Sequence, residues 1–136
     1  MRKLARECVY KLIFAYLFTG EWDEALKTSL FQEAKLTGSV LSFAEELYAA
    51  AKERLPEAKA EVAELSTGFS VDRIFKADLA ALLLGVVEMR YLTGIDAAVS
   101  IDQAVGLCRV YSAENSPQFV NGVLSGFLKK RAGETA

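Results

Sequence analysis

Three cations, Arg2, Lys3 and Arg6, crowd the first six positions. If they share the first turn of a helix they can approach successive phosphates of a polynucleotide. A solvated helix end is the plain alternative, but cations are mildly unfavourable at a helix N-terminus, so their crowding there hints at a function. Phe14 and Phe119 offer a second kind of chemistry, a flat face on which an unpaired base can stack. Phe119 lies three residues past Ser116, near an expected helix N-terminus whose free N–H groups attract phosphate. Asn115, Gln118 and Asn121 add neutral hydrogen-bonding groups nearby. Packing into a core is the alternative for both aromatics.

Asn121 and Gly122 are poor helix formers, the glycine by about 1 kcal/mol against alanine. Their place inside a helical pattern predicts another helix approaching closely at Gly122, with the Asn121 amide bonded to neighbouring backbone; direct contact with a nucleic acid is the other reading. Among the acids, Asp72 and Asp78 are candidates to face a basic partner. Glu88, between Val87 and Met89, reads as a buried carboxylate satisfied by Arg90 or by a helix N-terminus.

Catalysis has little to work with. The chain contains no histidine, which removes triad hydrolases and His-ligated metals. No phosphate-binding glycine loop occurs, and no pair of carboxylates is placed around an evident pocket. An enzyme is not expected, nor a cofactor or metal. Cys8 and Cys108 lie far apart in apolar surroundings without zinc spacing, and are expected as buried, reduced thiols.

These residues must be positioned by helices. Of 136 residues, 52% are hydrophobic, enough for one domain to bury a core without disulfides or metals. The net charge of -2 is not that of a body holding RNA by charge alone. Only two prolines occur, Pro56 and Pro117, and Ala, Leu, Glu and Lys fill the stretches between breakers, so the pattern is all-α. The first helix should run from Lys3 to Thr19 and stop at Gly20; its charges leave Ala5, Cys8, Val9, Leu12, Ile13 and Tyr16 on one face. That amphipathic spacing is unlike a signal peptide. With no apolar run near the roughly twenty residues that span a bilayer, a cytoplasmic location is expected.

A second helix should start near Asp23 and end near Thr37-Gly38. A third, capped by Ser39, should reach Arg54, and a fourth should run from Pro56 to Leu65, with Gly68 as the midpoint of the chain. The fifth, from about Ser70 to Thr93-Gly94, is apolar on nearly all sides and should be buried. Ser100 and Gln103 form a capping box for a sixth helix reaching Val110, and Ser116-Pro117 opens the seventh. The expected fold is thus about seven helices in two small bundles, 1–68 and 69–136, packed as one domain.

Four blocks in order resemble the NusB family and together span most of the chain. Phe119-Val120-Asn121-Gly122-Val123-Leu124 matches the run that opens the family's final helix. Ser100-Ile101-Asp102-Gln103-Ala104-Val105 is similar to its "INEAVELAK" helix, Ala80 to Leu92 to its "LRLAxYEL" helix, and Ala5-Arg6-Glu7 to its opening "ARE", with Phe14 at the usual tyrosine. The resemblance implies two three-helix bundles and a transcription antitermination factor that binds boxA-like single-stranded RNA as a heterodimer with NusE, the small-subunit ribosomal protein, and so touches the RNA polymerase elongation complex indirectly. On that reading Arg2, Lys3, Arg6, Phe14, Gln118, Phe119 and Asn121 face RNA, while Asp72 and Asp78 face the protein partner.

The chain departs from the pattern in two places. The family's arginine-rich arm is reduced to Arg2, Lys3 and Arg6, which predicts weak, salt-sensitive RNA binding by the protein alone. Leu79 and Leu83 stand where the family's "DRAILRLA" segment often carries basic residues. The alternative function is therefore a protein-interaction module on the same fold with little or no RNA binding. An accessory domain of an RNA-modifying enzyme would need a catalytic domain that this chain lacks.

Overall fold

The computed structural model describes residues 2–66 and 70–135; the expected midpoint at Gly68 lies outside them. Six α-helices follow one another: α1 (Arg2–Thr19), α2 (Glu24–Glu33), α3 (Gly38–Leu65), α4 (Lys76–Tyr91), α5 (Ala97–Tyr111) and α6 (Ser116–Thr135), with a 3-10 turn at Val71–Arg73 before α4. No strand occurs among the described residues. None of their helices is long and apolar enough to cross a membrane.

Helix α4 is the axis of the molecule. Every residue from Asp78 to Met89 is buried, as expected for a helix apolar on all sides, and it packs against α1, α3, α5 and α6. Leu82, Leu83 and Leu84 meet Leu12, Ile13, Leu47, Leu124 and Phe127 in one continuous core. Full burial of such side chains stabilises the fold by about 1.5–3 kcal/mol each.

Two of the seven expected helices are one. Pro56 lies inside α3 and has no N–H to give the Lys52 carbonyl, yet both residues are exposed, so water can serve that carbonyl. Leu47, Ala51, Leu55, Ala58 and Val62 form an unbroken buried stripe across the proline. Burial of that stripe on α1 and α4 outweighs a proline penalty of about 3 kcal/mol.

Helix ends follow local rules with some changes of residue. Gly20 adopts φ of 75°, the left-handed stop that glycine allows, whereas α4 already ends in an extended Leu92 and Gly94, at φ 76°, turns the loop beyond it. Helix α2 ends earlier than expected. Its Leu36 N–H reaches the Phe31 carbonyl at 3.2 Å and its Lys35 N–H the Gln32 carbonyl at 3.0 Å, a Schellman pair that puts Lys35 at φ 56° and buries Leu36 near Phe31. Helix α3 starts at Gly38, with Thr37 and not Ser39 at its cap. Asp96, not Ser100, caps α5, its Oδ1 accepting the Ala98 N–H at 3.0 Å. Ser100, one turn further on, is thereby left for another partner.

Gly122 is not a close-approach glycine: a Cβ there would meet nothing within 4 Å. That role belongs to Gly85, where a Cβ would stand 2.9 Å from Leu124 Cδ1 and 3.6 Å from Ala104 Cβ. Both cysteines are free and buried. Burial raises the Cys8 thiol and, with the nearby charge of Asp78 as a smaller cause, pushes Cys108 up to about 12.

Candidate nucleic-acid interface

Of the three N-terminal cations, two remain at the surface. Arg2 and Lys3 are exposed, and the Arg2 guanidinium lies 4.4 Å from the centre of the Phe43 ring. Arg6 is 4% exposed; its Nε donates to Glu88 Oε2 at 2.8 Å and its Nη2 to Oε1 at 2.6 Å. The assignment of Arg6 to RNA is corrected on that ground, because the buried two-bond pair turns the guanidinium inward and a phosphate could reach it only by breaking that pair. Glu88 is the buried carboxylate expected, but its partners are Arg6 and the Ser100 hydroxyl at 2.8 Å. Arg90 instead pairs with Glu61 and Glu134 at 2.9 and 2.8 Å.

Helical periodicity puts Lys3, Glu7, Lys11, Phe14 and Phe18 on one face of α1, at steps of three or four residues. Their span is about 22 Å at 1.5 Å per residue. Phe14 packs between Tyr10 and Phe18, with ring centres 6.5 and 4.9 Å away. Neighbouring elements widen the strip. Tyr111, at the end of α5, lies 5.5 Å from the Tyr10 ring and donates its hydroxyl to Glu7 Oε2 at 2.7 Å, while Lys11 Nζ sits 5.7 Å from the Tyr111 ring. Lys76, opening α4, holds Nζ 5.1 Å from the ring of Phe18, which is 63% exposed. Rings set beside ammonium groups are what a single strand needs, stacking for bases and charge for phosphates.

The sequence reading missed Phe18, Tyr111, Lys11, Lys76, Arg73 and Phe75. Phe18 carried a usable signal, four residues beyond Phe14 on the same face. Lys11 carried the same signal, four residues beyond Glu7, whereas Lys76 and Tyr111 join the strip only because the start of α4 and the end of α5 lie beside α1, and Arg73 and Phe75 line the cavity with Phe119.

The residues expected at the entrance of α6 divide between two surfaces. Phe119, half-buried, lines a cavity of about 290 Å³ with Arg73, Ile74, Phe75 and Asp78. Gln118 and Asn121 are exposed and line a separate open groove between α5 and α6, with Asp102, Arg109 and Ser125. Neither surface includes Arg2 or Lys3. Tyr10 bridges the strip to Phe119's neighbourhood, its hydroxyl donating to the Ala77 carbonyl at 2.9 Å, one residue from Asp78.

Asp72 is exposed as a partner-facing acid must be. Asp78 is not: it is 6% exposed, and its Oδ1 accepts the Ser112 hydroxyl, which is in turn 3.0 Å from the Ser116 hydroxyl. Its place on a basic protein partner is corrected accordingly. In the first turn of α4 the carboxylate suits the positive end of the helix dipole, and it ties that end to the α5–α6 corner.

A family model described as the NusB family matches residues 3–129. The curated transcription antitermination protein NusB of Carboxydothermus hydrogenoformans is 35% identical over 141 residues, covering 98% of this chain and 95% of that protein. Its counterpart in Agathobacter rectalis is 34% identical over 128 residues, covering 93% and 98%. Among solved structures, T. maritima NusB superposes with a TM-score of 0.87 at 26% identity, over 95% of this chain and 91% of that one. A chain in the crystal structure of antitermination factors NusB and NusE in complex with dsRNA does so with a TM-score of 0.84 at 26% identity, over 95% and 96%.

Proposed function

Because the chain belongs to the NusB family of transcription antitermination proteins, we propose that it is a cytoplasmic, non-enzymatic adapter that binds boxA-like single-stranded RNA together with NusE. The observation that carries this reading is the strip on α1, where Lys3 and Lys11 lead into the Phe14–Phe18 ring pair, with Tyr111 beside Lys11 and Lys76 beside Phe18. On this reading Lys3 and Phe14 face RNA from the strip, with Arg2 beside it and Phe119 on the neighbouring cavity; Gln118 and Asn121, across α6, would meet only a strand that passes over the helix. Asp72 remains the candidate for the protein partner. The solved complex of NusB and NusE with dsRNA supports RNA and NusE as partners, and the single-stranded form rests on the strip.

Burial of Arg6 leaves few exposed cations at the first turn, and this favours the second reading, a protein-interaction module with weak or no RNA binding. One titration separates them. Labelled boxA-like RNA is titrated with the protein, alone and with NusE, at two salt concentrations. Binding that strengthens with NusE and falls steeply with salt is expected, and Lys3→Ala should weaken it several-fold. No binding under any condition leaves the interaction module as the function.

A further inference from the structure

Beside the middle of the strip lies a cavity of about 250 Å³ lined by Tyr10, Lys11, Phe14, Ala77 and Tyr111. Its walls are rings. Tyr10, 2% exposed, closes the bottom, with the Phe14 ring centre 6.5 Å away and that of Tyr111 5.5 Å away. Tyr111 is 40% exposed and Phe14 half-buried, so both rings extend from this floor toward the surface. Half-buried Lys11 joins them there, its Nζ 5.7 Å from the Tyr111 ring. The phenol protons are already spent: Tyr10 donates to the Ala77 carbonyl and Tyr111 to Glu7 Oε2. A flat apolar group with an anion attached suits such a lining, and that is the chemistry of a nucleotide. An aliphatic side chain of a protein could fill the same space but would leave the ammonium group at its rim without a partner.

We propose that this cavity is a slot for one RNA base, packed against Phe14 and Tyr111 while Lys11 takes the adjoining phosphate, and that it prefers purines to pyrimidines without telling adenine from guanine. This rests on the RNA-binding reading above and adds to it a base preference. Reading a base by its edge needs donors and acceptors aimed at it. Here both hydroxyls point their protons elsewhere, and the Ala77 carbonyl already accepts one of them. What is left to choose between bases is the strength of stacking, which grows with ring area and so favours two fused rings over one. The hydrogen bonds to Glu7 and Ala77 have a positioning role, since each fixes the ring that forms a wall.

The test uses the full chain, isotope-labelled and titrated with adenosine, guanosine and uridine monophosphates and with ribose 5-phosphate while backbone amide shifts are followed. The two purine nucleotides should move the amides of Tyr10, Lys11, Phe14, Ala77 and Tyr111 with equal affinity. Uridine monophosphate should bind several-fold more weakly, and ribose 5-phosphate, which has no base, should leave Tyr10 and Ala77 in place. Tyr111→Leu keeps an apolar side chain at an exposed site but removes a ring, and should weaken adenosine monophosphate by at least about fivefold, the lower end of what one base–aromatic stack is worth. Tyr111→Phe restores the ring and should restore most of the binding, a rescue that a merely structural role would not require. Lys11→Ala should weaken every nucleotide and leave the purine preference intact. No shift with any nucleotide, a preference between adenine and guanine, or equal affinity for uridine monophosphate overturns the proposal. So does displacement of adenosine monophosphate by NusE, which would assign the cavity to a protein side chain. Purine-selective shifts in a protein that binds no RNA oligonucleotide would keep the slot and remove the function proposed above. RNA binding that Tyr111→Leu leaves unchanged would do the reverse.

Discussion

Arg6 and Glu88 depend on each other. Two charge-assisted bonds and the Ser100 hydroxyl satisfy a carboxylate that is 1% exposed, and removing one partner strands the other in the core. Arg6→Ala should therefore lower unfolding free energy by about 3–5 kcal/mol, measured by urea titration, whereas Lys3→Ala, at an exposed site, should stay within about 0.5 kcal/mol. A loss below 1 kcal/mol for Arg6→Ala would show that water reaches Glu88. Cys108 gives the molecule a pH dependence in the alkaline range. Its folded pKa, about 12, lies above the ordinary 9.0, so its contribution is complete below pH 9 and is lost as pH rises from there toward 12. Cys108→Ala should flatten that part of the stability profile. An unchanged slope in the variant would assign the alkaline loss to the tyrosines, among them Tyr10, whose hydroxyl burial also raises.

At the scale of the helix, Pro56 and the two glycines separate propensity from packing. Pro56→Ala restores a hydrogen bond to the Lys52 carbonyl in the middle of α3 and should raise the melting temperature, the gain reaching at most about 3 kcal/mol. A lower melting temperature would mean that the proline shapes α3 against α4. Gly122→Ala, with open space around it, should stabilise α6 by roughly 0.5–1 kcal/mol. Gly85→Ala should instead cost about 1–3 kcal/mol, since its methyl group would meet Leu124 at 2.9 Å. Thermal melts of the two variants should move in opposite directions; movement in the same direction would mean that Leu124 swings aside at little cost.

For the whole molecule, α4 packs on α1 and α3 as well as on α5 and α6, so the two bundles expected over 1–68 and 69–136 would share it as a common wall. We propose that they unfold as one unit. Trp22, the single tryptophan, stacks on Tyr16 at 4.4 Å and reports on the first bundle, while far-UV circular dichroism reports on all helices. The two urea transitions should coincide; separated midpoints would show two independent units.

Helix content, the stop at Gly20, the wholly buried helix around Leu82 and the buried state of Glu88 were legible from residue types and spacing, because caps, breakers and periodicity act within a turn or two of the chain. Partner choice was not. Whether Glu88 meets Arg6 or Arg90, whether Asp78 faces a protein or the Ser112 hydroxyl, and whether Gln118 and Phe119 share a surface depend on which helices cross and at what rotation. Those crossings are set by the summed burial of side chains far apart in sequence. The same burial carried α3 through Pro56 and drew Tyr111 and Lys76 to the edge of α1, where no local pattern could have placed them.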